Sequence, residues 1–208
     1  IPSILFLSQL AKEHETTIPI RLVKGAYWDN EINSAQQHGL ANYPVFTQKP
    51  ATDLNYQACI SLLFKHQMEG LLTPQFATHN AVTIATIIEQ ANELDPEHSS
   101  LFPIEFQRLH GMGETIYSAL SGYQKPNVDY FCRTYCPVGP YQELLPYLIR
   151  RILENGANQS FLNELSTIKD ATDSLCELPF HGLVQYDRFR EEFPLPLDIY
   201  QPYLKGSL

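Results

Sequence analysis

Four strand-like segments alternate with helix-like segments along the first 155 residues, and this alternation restricts the possible folds more than any other feature of the sequence. β-Branched and apolar runs predict strands at 17–27, 72–78, 104–110 and 128–135. Helical periodicity predicts helices at 3–14, 29–38, 53–64, 82–94, 114–120 and 141–155. Ser3, Asp53 and Asn80 are predicted helix caps, and Gly39 a left-handed helix stop. The pattern is typical of an α/β fold with a parallel sheet covered by helices.

Four strand–helix units predict about half of a barrel. Right-handed crossovers place consecutive parallel strands next to each other or nearly so. A complete (βα)8 TIM-type barrel needs about 250 residues and eight strands, whereas this chain has 208 residues and four predicted strands. A doubly wound sheet is the competing architecture, but no Gly-x-Gly-x-x-Gly follows a strand, and Gly111-Met112-Gly113 is too short to count as one.

Composition excludes several classes of protein. The net charge of -9 argues against a nucleic-acid surface, because phosphate binding needs clustered Lys and Arg. No apolar run has the length of a membrane span, and no charged leader precedes an apolar segment, so we expect a cytoplasmic protein. Four cysteines without CxxC spacing predict buried free thiols rather than disulfides or a zinc site: Cys59, Cys132, Cys136 and Cys176.

The domain organisation is predicted from a change of character near residue 158. Residues 1–161 are predicted to form the partial barrel, and the Pro-dense stretch 193–200 cannot be a helix or a central strand. We therefore expect 162–208 to be a linker with short helices that leads to a further domain. The first residue is Ile1 rather than Met, so we expect the chain to be part of a longer protein.

Polar and aromatic side chains lie at the end of every predicted strand, which predicts a shared site. The carboxyl ends of parallel strands meet on one side of a barrel, where active sites lie. These residues are Arg21, Tyr27 and Trp28 at the first strand, Thr78, His79 and Asn80 at the second, Gln107 and His110 at the third, and Arg133 and Tyr135 at the fourth. Each alone has an ordinary interpretation as a cap, turn or core residue, but together they favour a site.

The last predicted helix carries Arg150, Arg151 and Glu154, spaced so that all three can meet on one stripe. The simpler interpretation is a solvated ion pair worth a few tenths of a kcal/mol, roughly. Two adjacent guanidiniums also suit bidentate binding of a carboxylate or phosphate. Because these residues lie about 15 Å along the helix, at about 1.5 Å per residue, they reach a ligand only if the helix lies over the barrel opening.

Several long motifs, in order from about Ile20 to Phe161, resemble the proline dehydrogenase family. Within that family they are most similar to the branch in which the flavin domain is joined to an aldehyde dehydrogenase domain in one bifunctional bacterial protein, and 194–200 is similar to the connector between the two. The motifs are Arg21–Trp28, Gln75–Asn80, Glu105–Gln107, Leu109–Glu114, Tyr135–Gly139 and Arg150–Phe161.

The resemblance implies the C-terminal half of a distorted (βα)8 barrel that binds FAD and oxidises L-proline to pyrroline-5-carboxylate by hydride transfer to flavin N5. It also implies a quinone electron acceptor at the membrane, the aldehyde dehydrogenase domain as a partner in the same chain, and a peripheral position at the inner membrane face. By the same resemblance, Arg150 and Arg151 grip the proline carboxylate, Glu154 orients an arginine, Tyr27 and Tyr135 wall the proline ring, and Arg21 lies beside N5. The residues implied to line FAD are Arg21, Val23, Lys24, Gly25, Trp28, Thr47, Lys49, Thr78, His79, Asn80, Gln107, Ser160 and Phe161.

The sequence also departs from the family pattern. The first half of the family's barrel, which supplies a substrate-binding lysine, an aspartate and further flavin contacts, is absent, so we expect the chain alone not to turn over proline. Gln48 stands where the family often has a basic residue, which weakens an expected phosphate contact. Two alternatives remain: a Schiff-base aldolase with Lys24 as nucleophile, and a non-catalytic packing segment whose arginines hold a partner chain.

Overall fold

The computed structural model describes residues 1–25, 27–94, 104–122, 129–153 and 194–199. The chain divides into two compact units. The first, called the sheet unit here, comprises residues 2–23 and 60–177, and the second, called the loop unit, comprises residues 1, 24–59 and 178–208. The predicted division into 1–161 and 162–208 stays a prediction, since 154–193 and 200–208 lie outside the described residues.

The described elements alternate as predicted, with helices between successive strands. In chain order they are α1 (Pro2–Glu13), β1 (Ile18–Val23), α2 (Trp28–Gln37), α3 (Lys49–Met68), β2 (Leu72–Ala77), α4 (Ala81–Leu94), β3 (Ile104–Leu109), α5 (Glu114–Gly122), β4 (Tyr130–Tyr135) and α6, whose described part is 141–153. Each of the four predicted strands and of the six helices predicted before residue 156 therefore has a counterpart at nearly the same position, whereas the short helices predicted after residue 161 lie outside the described residues.

The four strands form one parallel sheet in the order β1-β2-β3-β4. This confirms the prediction that consecutive strands are neighbours. Arg21 pairs in register with Gln75, Gln75 with Glu105, and Gln107 with Arg133. Because side chains alternate across a strand, these five residues lie on one side of the sheet, which we call the polar face.

The opposite side of the sheet carries the hydrophobic core of the sheet unit. Phe76 on β2 and Phe106 on β3 are fully buried, and their ring centroids are 6.3 Å apart. Phe64 of α3 makes an edge contact with Phe76 at 5.4 Å, and Tyr117 of α5 makes one with Phe106 at 6.2 Å. Helices α3 and α5 therefore cover this apolar face.

Several predicted element boundaries are wrong by a few residues. β1 ends at Val23 rather than residue 27, because its neighbour β2 ends at Ala77, the pairing partner of Val23. Ser3 is not a cap, since α1 already begins at Pro2, and proline is favoured in the first turn of a helix. Asp53 is not a cap either, because α3 begins at Lys49.

The loop unit is organised around α2 and the residues that follow it. Gly39, predicted to end this helix, has φ +56° and faces the Leu197 side chain at 3.6 Å. The Tyr43 hydroxyl donates to the Pro194 carbonyl at 2.9 Å, and Pro196 is fully buried. The described part of the Pro-dense stretch, 194–199, therefore packs against residues of this unit.

None of the helices within the described ranges combines the length and apolarity needed to cross a membrane. The three cysteines of those ranges are free thiols. Cys59 is buried as predicted, but the prediction is wrong for Cys132 and Cys136, which are exposed because they lie on or just after β4, a strand with one neighbour in the described sheet. Cys176 lies outside the described residues.

Candidate active site

Hydrogen bonds link all four strands across the polar face. Arg21 Nε of β1 donates to Gln107 Oε1 of β3 at 2.6 Å, and Gln107 Nε2 donates to Glu105 Oε1 at 2.7 Å. Arg133 of β4 donates from Nε to Glu105 Oε1 at 2.8 Å, and Gln75 Nε2 of β2 donates to Glu105 Oε2 at 3.3 Å. The Glu105 carboxylate is therefore the centre of a network with an arginine at each end.

Glu105 is ionised despite its burial. Only 5% of the residue is exposed, and burial by itself raises the pKa of a carboxyl group. Hydrogen bonds from Arg133, Gln107 and Gln75, with the positive charge of Arg133, outweigh burial and lower the pKa of Glu105 below its ordinary value. The partner is affected in the opposite direction, since the bond and charge of Glu105 raise the pKa of Arg133.

Arg21 is held at one edge of its guanidinium and open at the other. Its Nε atom is bonded to Gln107, which is buried, whereas the arginine itself is exposed. Its two terminal amino groups donate no hydrogen bond to another residue of the described chain. Val23, two residues further along the same side of β1, is 54% exposed, so the polar face presents a fixed cation on open surface.

The predicted residues after β2 are held by bonds of three kinds. The Asn80 side chain accepts from the Thr83 N–H at 2.9 Å and so caps α4 as predicted. The Thr78 carbonyl accepts from the Tyr117 hydroxyl at 2.7 Å. His79 Nε2 accepts from the Leu109 N–H at 3.1 Å, which places the ring proton on Nδ1 in the neutral form. All three residues are thus fixed at the carboxyl end of β2.

An aromatic pair connects the end of β4 with the predicted arginine pair of α6. The rings of Tyr135 and Tyr147 are 6.1 Å apart, and the Arg151 guanidinium carbon lies 5.3 Å from the centroid of the Tyr147 ring. Tyr135 is 49% exposed. Tyr135 and Arg151, two residues predicted to contact the same substrate, therefore both contact Tyr147, and Arg150 precedes Arg151 on the same helix.

In the loop unit, Asp53 joins two of the predicted cofactor residues. Lys24 Nζ and Lys49 Nζ each lie 2.5 Å from one oxygen of its carboxylate. Burial raises the pKa of Asp53, but the bonds and charges of the two lysines outweigh it, and the net pKa is lowered. Lys24 also lies 5.2 Å from the centre of the Tyr56 ring. Its amino group is thus engaged with a carboxylate, whereas a Schiff-base nucleophile must be a free amine.

The other predicted residues of the loop unit lie on its surface or in its loops. Trp28 is the first residue of α2, and its Nε1 donates to the Phe46 carbonyl at 2.8 Å. Tyr27 precedes α2 and is 51% exposed. A side chain at Gly25 would meet nothing within 4 Å, and Thr47 is half-buried. Three further predicted residues, Glu154, Ser160 and Phe161, lie outside the described residues.

Three residues of these clusters are not among the predicted site residues. Glu105 has a sequence signal, a carboxylate two positions before Gln107 inside an otherwise buried strand. Asp53 has none beyond its spacing of four from Lys49 on a helix, which permits an ion pair. Tyr147 lies four residues before Arg151, and this spacing likewise predicts contact on a helix. Within the described ranges, no group of three or more His, Cys, Asp or Glu residues is placed to hold a metal ion.

Comparisons with known proteins identify the family of this chain. The sequence matches the family described as "Proline dehydrogenase" over residues 2–164. It is 42% identical over 208 residues to the bifunctional protein PutA of Salmonella typhimurium, covering 94% of this chain and 15% of that protein. It is 30% identical over 152 residues to human mitochondrial proline dehydrogenase 1, covering 72% of this chain and 24% of that protein.

Solved structures show the same fold. A crystal structure of a Bradyrhizobium japonicum Proline Utilization A (PutA) variant superposes with a TM-score of 0.79 at 44% identity, covering 97% of this chain and 20% of that one. A PutA structure from Bdellovibrio bacteriovorus gives a TM-score of 0.72 at 34% identity over 88% of this chain and 18% of that one. The predicted fold class is confirmed: the four parallel strands and their helices are the C-terminal half of a distorted (βα)8 barrel. The chain belongs to the proline dehydrogenase family.

Proposed function

We propose that this chain contributes to an active site that oxidises L-proline to pyrroline-5-carboxylate with FAD. Family membership supports the reaction class. The observation that carries the proposal is that one unit holds both a fixed, open arginine on the sheet, Arg21, and a second arginine, Arg151, stacked beside an aromatic pair. These are the groups that an electron-accepting ring and a cyclic amino acid require.

The donor set of the polar face fits a flavin. The reactive edge of an isoalloxazine ring carries hydrogen-bond acceptors and gains negative charge on reduction. Arg21 offers unengaged donors and a permanent positive charge, and its Nε bond to Gln107 holds it in place. FAD, when bound, would supply the acceptor for the hydride that leaves proline.

The role of Arg21 follows from its being positioned before the reaction. A cation that is already oriented stabilises developing negative charge without reorganisation, and such preorganised groups lower barriers effectively. Arg21 does not bond Glu105 directly. It bonds the Gln107 amide, which in turn bonds the Glu105 carboxylate. Within the described residues, no carboxylate therefore contacts the positive charge of Arg21.

The tyrosine and arginine side chains near α6 suit the substrate. Proline offers a carboxylate, a ring amine and an apolar ring. We propose that Arg150 and Arg151 bind the carboxylate and that Tyr135 packs against the ring, since an arginine fork matches a carboxylate and an exposed aromatic face matches an aliphatic ring. The contact of Tyr135 with Tyr147, and of Tyr147 with Arg151, supports this grouping.

The proposal extends to the other residues and partners that the family resemblance implies. They include Thr78, His79 and Asn80 as flavin contacts, a quinone as final electron acceptor, an aldehyde dehydrogenase domain as partner, and a cytoplasmic location beside the membrane. Two further residues are proposed to contact the substrate, Tyr27 and Glu154. The further residues proposed to contact the flavin are Lys24, Gly25, Trp28, Thr47, Lys49, Ser160 and Phe161.

The test uses the complete natural polypeptide that contains these 208 residues, loaded with FAD. Proline added without an electron acceptor should bleach the flavin absorbance. Arg151→Ala should raise the KM for proline by about tenfold or more, because a charge-assisted bond to the carboxylate is lost. Arg108→Ala is the matched control, since Arg108 bonds the Met112 carbonyl on the other side of β3.

Three outcomes of this test oppose the proposal. A flavin that is not bleached by proline contradicts the reaction. An unchanged KM in Arg151→Ala supports the alternative of a packing segment. Trapping of a carbonyl substrate on Lys24 by borohydride supports the aldolase alternative, which the ion pair of Lys24 with Asp53 opposes.

A further inference from the structure

Glu105 is the most enclosed charged group of the polar face, and the proposed reaction gives it no part. It receives hydrogen bonds from three side chains on three strands, Gln75, Gln107 and Arg133. Burying a carboxylate is costly unless it is fully bonded, and here the bonds extend toward Arg21 through one intermediate residue. A buried charge one residue away from the proposed flavin contact requires an explanation.

The position of Glu105 decides which end of the Gln107 amide faces Arg21. An amide has an oxygen that accepts and a nitrogen that donates, so rotation by half a turn would present the nitrogen to Arg21. The Glu105 carboxylate can only accept, and it therefore draws the nitrogen of Gln107 to itself at 2.7 Å. The amide oxygen is left facing Arg21 Nε, which can only donate, at 2.6 Å. Both neighbours of Gln107 thus select the same orientation.

We propose that Glu105 is a positioning residue for the proposed reaction, acting through the Gln107 amide to hold the guanidinium of Arg21 at the flavin. The inference rests on the proposed function. The carboxylate also polarises the amide, which strengthens the bond that Gln107 accepts from Arg21. Glu105 does not touch substrate or flavin, so its effect must appear in the properties that Arg21 controls.

A purely structural ion pair with Arg133 is the simpler explanation, and the geometry argues against it. The Arg133 side chain is 64% exposed, and pairs with an exposed partner contribute little to stability. Gln107, in contrast, is 7% exposed, so its bond to Glu105 is shielded from solvent, and Gln107 also bonds Arg21, which Arg133 does not. We therefore assign the role of Glu105 to its bond with Gln107, which leads to Arg21.

The experiment measures proline oxidation in the FAD-loaded complete polypeptide with three test variants and one control variant. Glu105→Gln removes the charge and lets the Gln107 amide adopt either orientation, so kcat should fall about tenfold, the size expected when one charge-assisted bond is weakened. The KM for proline should stay within about twofold, because the proposed carboxylate ligands are unchanged. The flavin reduction potential should become more negative, since Arg21 stabilises the reduced ring less well.

Gln107→Ala and the double variant Glu105→Gln/Gln107→Ala distinguish a positioning role of Glu105 from a purely structural role. If Glu105 acts through Gln107, the double variant should lose no more kcat than Gln107→Ala alone. Glu13→Gln is the charge-matched control, since Glu13 is an exposed carboxylate at the end of α1, and it should match the unaltered protein.

Each opposing result is distinct from failure of the proposed function. If proline bleaches the flavin of the unaltered protein but Glu105→Gln behaves like Glu13→Gln, the inference is wrong and the function stands. Additive losses in the double variant, or an unchanged kcat in Gln107→Ala, also overturn it. The measurement on Gln107→Ala tests the inference even if Glu105→Gln fails to fold, because it does not need that variant. If proline does not bleach the flavin of the unaltered protein, the proposed function itself is wrong.

Discussion

At the scale of single residues, Asp53 illustrates how a half-buried carboxylate is kept ionised. Its side chain is 17% exposed, and it is paired with Lys24, which is partly covered, and with Lys49, which is 83% exposed. The better-covered pair is expected to contribute more, because solvent screens the other. Burial opposes ionisation of Asp53, but the two lysines prevail and lower its pKa.

The lowered pKa of Asp53 predicts a stability that depends on pH. A carboxyl whose folded pKa lies below its unfolded value, about 3.9 for Asp, stabilises the fold above that unfolded value and ceases to do so as pH falls through the folded pKa. Asp53→Asn should therefore lower the free energy of unfolding by about 1 kcal/mol at pH 7. Urea denaturation from pH 7 down to pH 2 should show this difference shrinking toward zero.

Two lysine variants provide the control for this prediction. Lys24→Ala should destabilise the protein more than Lys49→Ala at pH 7, since the Lys49 side chain is the more exposed. A difference between Asp53→Asn and the unaltered protein that stays constant over the whole pH range would contradict the ionic explanation.

The residues that sequence reasoning found, and those it missed, differ in a physical way. Arg21, Gln107 and Tyr135 could be predicted because they lie at or near strand ends, and local sequence reveals strand ends. Asp53 could not, since its importance comes from Lys24, 29 residues away, and from a helix that begins earlier than expected. For Glu105, the sequence signals a carboxylate in a buried strand but not its bond to Arg133, 28 residues away. Pairing across strands depends on register, which a single sequence does not state.

At the scale of elements, the turn between β3 and α5 offers a matched pair of glycines. Gly111 has φ +77° and Gly113 has φ +66°, conformations that disfavour any residue with a Cβ. A Cβ at Gly111 would meet nothing within 4 Å, whereas one at Gly113 would lie 3.0 Å from Cδ2 of the His79 ring. A substitution at either glycine would therefore strain the backbone, but only a side chain at Gly113 would also press against the His79 ring.

Alanine substitutions at the two glycines measure how strongly the His79 ring is held in place. Gly111→Ala should lower the free energy of unfolding by about 1 kcal/mol through backbone strain. Gly113→Ala should cost about 1 kcal/mol more, because the ring must move and its bond from the Leu109 N–H weakens. Thermal denaturation of both variants measures the difference. Equal losses would mean that the ring yields to a methyl group without cost.

Element boundaries were predictable where a strong local signal exists. Asn80 caps α4 and Gly39 follows the end of α2 as the sequence indicates. The start of α3 was not, because Pro50 is typical of a break and yet lies in the first turn of this helix, where its missing N–H has no partner to lose. Proline alone does not tell a loop from a helix start.

At the scale of the whole molecule, the order of the strands could be predicted and the chemistry of the two sheet faces only in part. Short right-handed connections leave little choice of order for parallel strands. The apolar face follows from alternation of Phe and Ile with polar residues. The polar network does not, because alternation shows that Arg21, Gln75 and Glu105 share a side but not which of them bond to each other.

Because one face of the sheet is buried and the other is exposed, we expect the same Phe→Ala substitution to change the free energy of unfolding by different amounts on the two faces. Phe106 is fully buried and contacts the rings of Phe76, Tyr117 and Tyr130, whereas Phe131, on the neighbouring strand, is 46% exposed and lies 5.9 Å from the Arg133 guanidinium carbon.

Phe106→Ala leaves a cavity between the sheet and its helices, so the free energy of unfolding should fall by about 3–5 kcal/mol. Phe131→Ala leaves no closed cavity and loses one weak cation–π contact, so its loss should stay near or below about 1 kcal/mol. Urea denaturation of both variants, followed by far-UV circular dichroism, measures the contrast. Similar losses would show that the polar face bears as much of the fold as the apolar face, and a sheet with that property could not reserve one side for binding.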